Sequence, residues 1–595
     1  MKSHLKFLTQ PFLQLPTQTS IRVVWFTEFM GDKRSLMPSA LRHIVSYGSN
    51  FSKTVSAKTI KLNHLREDKY SRVGNQTADG EIYEKPVLRD IWRHEAHLTD
   101  LIPGERISYR VTSIAENNES VRSPIYTFEP APLPDKPLKI LLTSDHQIKP
   151  MVAANLQKVK ETFEQIDGVF FAGDLVNIPD RASEWFDDNR GNAFFPCLQG
   201  TANYVMKYEG VETTYTGGVE TTYTGGVETT YTGGIETTYT GGVETTYTGG
   251  EIIQNAPIFP CIGNHEIMGR FNTGKSLSEE FNDTIPRDVA QDLYGTESLE
   301  DNSFNTDTFE KIFSLPETET GNKGYYAVNF GGVRLVVLYV TNMWRYFTTE
   351  NCHKGKYAEP EEELNNPQNW GYGQHIYEPI TKGSTQYNWL VNELNSDEFQ
   401  QAKYKIVMFH HPPHTLGGNI VPAYTNPVQI IERDKNDNIT SVKYEYPKQQ
   451  DYIIRDLIPL LEKAKVQLVF YGHSHLWNRF VSSSGMHFLE TSNVGNSYGA
   501  AYGDKKRHNL PNTNPNNYNN NYTEIGDPYG LEPVVPTIAP LLDDNGKPLP
   551  YIASNKITVF SIFDTEKGTV SSYRFDTSKP DSEVVKFDEF QLNGE

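Results

Sequence analysis

The sequence predicts a mixed α/β fold preceded by an all-β region, and three observations predict it. From residue 138 onward, short apolar runs alternate with amphipathic segments of helical period. Before residue 132 the apolar runs are β-rich and punctuated by Pro, Gly and Asn. Five of the later apolar runs stop on side chains that bind metals or carry protons.

Taken in order, SIRVVWFTEF (20–29) reads as a strand. LTDLIPGERISYRVTSI (98–114) places a Pro-Gly turn before the alternation Ile107, Tyr109, Val111, and IYTFEP (125–130) closes the series. This spacing predicts a small antiparallel sandwich over 1–132, with APLPDKP (131–137) as a stiff linker. A second unit is predicted over 137–577. There Val152, Leu156, Val159, Phe163 and Ile166 share one face of a helix spanning 151–166. STQYNWLVNEL (384–394) and YIIRDLIPLLEKAK (452–465) are amphipathic helices, and GYYAVNFGGVRLVVLYV (324–340) is a hairpin with a Gly-Gly turn. ITVFSIF and SSYRFDT form the last strand pair.

Two segments interrupt this second unit. Residues 211–250 are five copies of the octapeptide V/I-E-T-T-Y-T-G-G, which carries one Glu and no cation per copy. Each unit has too few apolar groups to offset its ordering entropy, so a surface loop is expected over a β-meander. Residues 501–555 are rich in Asn and Pro and read as a long loop.

The chain has 595 residues, enough for more than one core, and a formal net charge of −20. So acidic a chain lacks the basic surface that general phosphate neutralisation requires, and no nucleic-acid partner is expected. Three cysteines, Cys197, Cys261 and Cys352, make no disulfide framework. The N-terminus, MKSHLKFLTQPFLQLPTQTS, has no apolar run long enough for a secretory signal, and no stretch is long enough to span a membrane. The expectation is a cytoplasmic protein as written; trimming of a signal peptide from a secreted or periplasmic protein would leave the same picture.

The five strand ends carry the chemistry. Asp145 follows KILLTS, Asp174 follows GVFFAG, and Asn264 and His265 follow PIFPCIG. His410 and His411 follow KIVMF, and His473 and His475 follow QLVFYG. Singly, each has an ordinary structural reading: a helix N-cap for the aspartates, a turn for GNHE, a loop histidine before Pro-Pro. Together they place His, Asp and Asn where the C-terminal ends of sheet strands gather functional groups, a donor set suited to divalent metals.

GDLVN (173–177), GNHE (263–266), HHP (410–412) and GHSHLWNR (472–479) resemble the motif series of calcineurin-like metallophosphoesterases, in the same order. The nearest resemblance is to the purple acid phosphatase-like branch, whose N-terminal fibronectin-III-like domain SIRVVWFTEF and LIPGERISYRV resemble. The resemblance implies an α/β (α+β) sandwich of two mixed sheets flanked by helices, behind an all-β fibronectin-III/Ig-like sandwich. It implies two divalent metal ions, Mn, Fe or Zn, with Asp174 bridging them. Asp145 and His475 would hold the first; Asn264, His410 and His473 would hold the second. His265 would face the phosphate and assist the leaving group. The reaction implied is hydrolysis of a small-molecule phosphate ester by in-line attack of a metal-activated hydroxide, with a phosphomonoester as substrate.

Two positions depart from the family pattern. Gln147 stands where a His or Gly is usual after the first Asp; as a ligand its carbonyl oxygen would favour Mn²⁺ or Mg²⁺ over Zn²⁺. It also resembles forms that cleave nucleotide diphosphates, so a phosphodiesterase or nucleotide diphosphatase is the alternative enzyme. Asn177 stands where purple acid phosphatases carry tyrosine, so the purple colour and the preference for Fe³⁺ should be absent; Asn177 is either a ligand or a turn residue. A reading of another class is a surface or interaction protein with a decayed phosphatase site, against which the near-complete ligand set argues. His146, His411 and His414 are expected to be structural or solvent-facing.

Overall fold

The computed structural model describes residues 4–30, 42–74, 83–114, 120–208, 222–224, 227–229, 243–283, 285–295, 299, 302–318, 324–344, 348–349, 352–353, 355–508, 510 and 522–592. Among them the N-terminal region is all β. One five-stranded antiparallel sheet contains His4–Phe7, Phe12–Thr17, Ser20–Met30, Ile91–Leu98 and Lys58–Lys61. The other contains Arg42–Tyr47, Lys53–Ser56, Ile107–Ile114, Ser120–Arg122 and Tyr126–Phe128. Ile21, Val23, Trp25, Val45, Tyr109, Val111 and Phe128 are buried together in its core. The predicted alternation Ile107, Tyr109, Val111 is the buried face of its strand.

Beyond it the chain is mixed α/β. A six-stranded sheet runs in the order Ile258–Pro260, Gly168–Phe171, Lys139–Thr143, Ile557–Asp564, Thr569–Asp576, Val585–Gln591, and its first three strands are parallel. A seven-stranded sheet runs Tyr326–Phe330, Val333–Val337, Tyr404–Met408, Leu468–Tyr471, His487–Thr491, Trp477–Val481, Tyr551–Ile552. Its central strands, from Val333–Val337 through His487–Thr491, are also parallel. One large apolar core includes residues of both sheets, among them Leu141, Phe170, Phe259, Ile406, Phe470 and Phe560. Thr385–Leu394 and Ile458–Lys463 pack on the second sheet through Leu390, Leu394, Ile458 and Leu461.

The Gly331–Gly332 hairpin forms as expected, and Ile557–Asp564 pairs with Thr569–Asp576, but that pair is not the last: Val585–Gln591, beyond the expected boundary at 577, adds an edge strand to it. Two helices differ from expectation. Val152–Thr162 stops short of Phe163 and Ile166: Phe163 is extended, and the Asp167 carboxylate takes the Lys139 N–H at 2.8 Å, so the chain is already entering the Gly168 strand. In 452–465, Pro459 removes an N–H from the ladder, and Ile453–Leu457 widens into a π turn before Ile458–Lys463 resumes.

The octapeptide segment lies mostly outside the described residues. Its last copy pairs in register with Tyr204–Tyr208, Tyr204 opposite Tyr247, so the repeats are inserted into the loop of a hairpin. Long insertions at such a position cost little closure entropy. No described helix is long and apolar enough to cross a membrane.

Candidate metal centre

The parallel strands of both sheets deliver their C-terminal ends to one place. Asp145 Oδ2 accepts the backbone N–H of His473 at 2.9 Å, across more than three hundred residues of chain. Asp174 Oδ1 accepts the N–H of His265 at 2.8 Å. The turns at these ends are tight: Asp145 (φ 56), Asp174 (φ 57), His473 (φ 82) and His475 (φ 55) all have left-handed backbones. That conformation is costly for a residue with a Cβ and persists only where surrounding contacts fix it.

Four donor atoms converge. His410 Nδ1–H donates to Ala172 O at 2.8 Å, which commits that nitrogen and turns Nε2 to the centre. His410 Nε2 lies 3.1 Å from Asn264 Oδ1, 3.2 Å from His473 Nδ1 and 3.3 Å from Asp174 Oδ2. Asn264 Oδ1 and His473 Nδ1 are 3.0 Å apart. Asp174, His410 and His473 offer ligand atoms all within 4.8 Å of one another.

The electrostatics of this cluster call for a cation. Burial disfavours ionisation of Asp174, yet His410 and His265 hold its carboxyl well below the usual range. Burial lowers the His410 imidazole, but the Asp174 carboxylate outweighs it and pushes His410 up to about 9. Burial, with His411 and His410 alongside, keeps His473 neutral. A divalent ion among the same four atoms would bring the positive charge that the Asp174 carboxylate favours.

Asp145 and His475 stand beside this cluster. His475 Nδ1–H donates to Asn496 O at 3.0 Å, and Nε2 lies 3.5 Å from Asp145 Oδ1. Asp145 Oδ1 is buried and accepts no hydrogen bond, an orphaned carboxylate oxygen of the kind a cation satisfies. Gln147, a tentative ligand from sequence, donates its side-chain N–H to Asp174 Oδ2 at 2.7 Å. The Asn177 backbone does the work there: its carbonyl accepts His265 Nδ1–H at 2.7 Å.

Three supporting residues went unassigned in the sequence. Glu266, inside the GNHE motif, accepts the N–H groups of Asp174, Leu175 and Gly263. Burial and the charge of Asp174 push it up to about 8. Glu490 accepts the Ser474 N–H at 2.7 Å and the Thr415 hydroxyl at 2.8 Å, pinning the loop between His473 and His475. Lys149, four residues after Asp145, brings Nζ to 2.6 Å from His475 Nε2. The remaining histidines are buried in other roles. His146 bonds Thr143 Oγ1, His414 bonds Asp527, and His411 packs against Tyr424 and His473.

Residues 238–476 match the family model of calcineurin-like phosphoesterases. The chain carries a calcineurin-like phosphoesterase domain. It is a metal-dependent phosphoesterase, and its matched segment includes Asn264, His265, His410, His473 and His475. Asp145 and Asp174 precede that segment, and the folded domain brings them to it. Among solved structures, the purple acid phosphatase PPD1 from yellow lupin (Lupinus luteus) seeds is similar at 14% identity, over 98% of this chain and 74% of that one, with a TM-score of 0.50. A structure of PhoD is similar at 12% identity over 99% and 91%, TM-score 0.43, and GAP50 of Plasmodium at 10% identity over 77% and 90%, TM-score 0.30. No curated protein sequence matches the chain.

Proposed function

We propose that this phosphoesterase is a dinuclear phosphomonoesterase. Asp174 would serve two divalent cations, with Asn264, His410 and His473 holding one and Asp145 and His475 the other. The observation that carries the reading is the convergence of Asp174 Oδ2, Asn264 Oδ1, His410 Nε2 and His473 Nδ1 from the ends of strands in two sheets. The donors are imidazole nitrogens and amide or carboxylate oxygens, which suit Mn, Fe or Zn. When bound, such ions polarise phosphoryl oxygens and make coordinated water acidic.

The chain's own groups do the rest. The Asn177 carbonyl holds the His265 ring through Nδ1–H, and His265 supports the leaving oxygen as a proton donor. The ammonium of Lys149 adds positive charge beside His475, which favours the dianion of a monoester over the monoanion of a diester. The all-β region 1–132 is a packing module for the catalytic unit 137–577. Supporting this, Arg66 and Arg89 of the former bond Asp180, Glu280 and Asp187 of the latter.

The test is hydrolysis of a nitrophenyl monoester and a bis-nitrophenyl diester by metal-replete protein and by Asp174→Ala. The monoester should be preferred and the variant inactive. Full activity of the variant would overturn the reading, and preference for the diester would replace monoesterase with phosphodiesterase.

A further inference from the structure

The imidazole of His265 is held from two sides. Asn177 O accepts Nδ1–H at 2.7 Å, and the Phe281 ring lies against the imidazole with centroids 5.3 Å apart. One support belongs to the loop after Asp174, the other to the helix Leu277–Asn282. Ile178, Leu277 and Phe281 share a small buried apolar cluster, so the loop and the helix pack on each other.

Both elements are tied to one residue of the all-β region. On the loop side, Glu184 Oε2 accepts the backbone N–H groups of Asn177 and Ile178 at 2.7 and 2.9 Å. Glu184 Oε1 accepts from Arg181 at 3.0 Å, and the same guanidinium lies 3.3 Å from both carboxylate oxygens of Asp68. On the helix side, Asp68 Oδ2 accepts the Leu277 N–H at 2.7 Å, in the first turn of the helix that carries Phe281. Arg181 donates to Ser278 Oγ at 3.1 Å and joins the two sides. Asp68 is buried and fixed in its turn, with Oδ1 accepting the Tyr70 N–H and the Ser71 hydroxyl. Burial disfavours the Arg181 charge, and Asp68 and Glu184 outweigh it. Loss of Asp68 removes one carboxylate from a buried guanidinium and the acceptor from a buried N–H.

Resting on the reading of His265 as proton donor, we propose that Asp68 is a positioning residue for His265. A carboxylate of the all-β region fixes at once the loop and the helix between which that ring is set. Beyond packing, the N-terminal region thus aims the proton donor. Its effect falls on substrates whose leaving oxygen needs a proton. As water adds to phosphorus and the ester P–O bond breaks, the His265 proton passes to the departing oxygen, and the proton released by the water restores it.

The experiment compares phenyl phosphate, whose leaving oxygen is basic, with nitrophenyl phosphate, whose leaving oxygen is far less so, on metal-replete full-length protein. His265→Ala should lose about 100-fold or more in kcat on phenyl phosphate and much less on nitrophenyl phosphate. Asp68→Ala should show the same selectivity at about 10–100-fold, in kcat with KM held. Asp68→Asn, which keeps an acceptor for Leu277, should lose less. Arg93→Ala breaks a different buried contact between the two regions, Arg93 Nε–H to Ile312 O at 3.2 Å, and should keep the wild-type ratio of the two rates. A readout without turnover is the Nδ1–H resonance of His265 in ¹⁵N-histidine-labelled protein, identified by its loss in His265→Ala. It should be present in wild type and broadened in Asp68→Ala. If the alanine variant does not fold, Asp68→Asn carries both measurements. A loss equal on the two substrates, or an unchanged ratio and resonance, in the Asp68 variants would overturn the positioning role and leave His265 as donor. A loss equal on the two substrates in His265→Ala would overturn the donor reading, and the positioning role with it.

Discussion

Glu266 Oε2 accepts the backbone N–H of Asp174 and that of Gly263, both at 2.8 Å, while Oε1 accepts that of Leu175. One carboxylate thereby clamps the turn that carries Asp174 to the turn that carries Asn264. Glu266→Ala leaves three buried N–H groups unpaired and frees both turns. Metal affinity should fall by about 10–100-fold, read by titration of the metal-stripped protein, with Glu266→Gln falling less because its carbonyl oxygen can still accept.

Gly263 packs against the same aspartate. A Cβ at Gly263 would sit 2.3 Å from Asp174 Oδ1 and 2.6 Å from Asp174 N. The nitrogen is backbone and held by Glu266, so it cannot yield cheaply. Gly263→Ala should abolish stoichiometric metal binding, whereas Gly418→Ala, where nothing lies within 4 Å of the added carbon, should bind as wild type. Metal content of the two purified variants decides it.

The N-terminal region is joined to the rest by buried ion pairs. Arg66 forks onto Glu280, at 3.0 and 2.7 Å, and reaches Asp180 at 2.9 Å. Removing one partner from such a cluster strands buried charge and costs about 3–5 kcal/mol. Arg66→Ala should lower the midpoint of urea unfolding accordingly, and Lys443→Ala, at an exposed pair with Glu432, should shift it by less than about 1 kcal/mol.

Acid should weaken the N-terminal sandwich. The His43 and His94 rings stack at 3.6 Å inside it; burial pushes His43 down to about 4 and His94 well below its ordinary value. The folded state thus binds fewer protons than the unfolded state between the ordinary value near 6.5 and pH 4. Stability is full above about pH 6.5 and is lost as pH falls through that window, by on the order of 3 kcal/mol for His43. Thermal melts at pH 7, 5 and 4 should show this loss, and His43→Gln should show less of it.

What the chain reveals without folding is whatever a short window contains. An apolar run that halts on Asp145, Asp174, Asn264, His410 or His473 is visible because strand burial and its polar termination are both local properties. The same locality misled at 151–166, where helical period continued through Phe163 although the chain had to straighten to enter the next strand. Gln147 and Asn177 could not be decided from their windows. Whether a side chain or a backbone carbonyl faces the centre depends on φ and ψ in turns that distant contacts fix.

The apolar and chelating pattern of the sequence by itself determined that five strand ends carry candidate cation ligands. Only the tertiary structure decided which distant residues contact those candidates. Glu266 clamps Asp174 from 92 residues away, and Lys149 contacts His475 across 326. Such pairings depend on the stacking and register of two sheets, and no local propensity encodes them. They come into being when the shared core between the sheets excludes water and each buried polar atom must find its partner inside the fold.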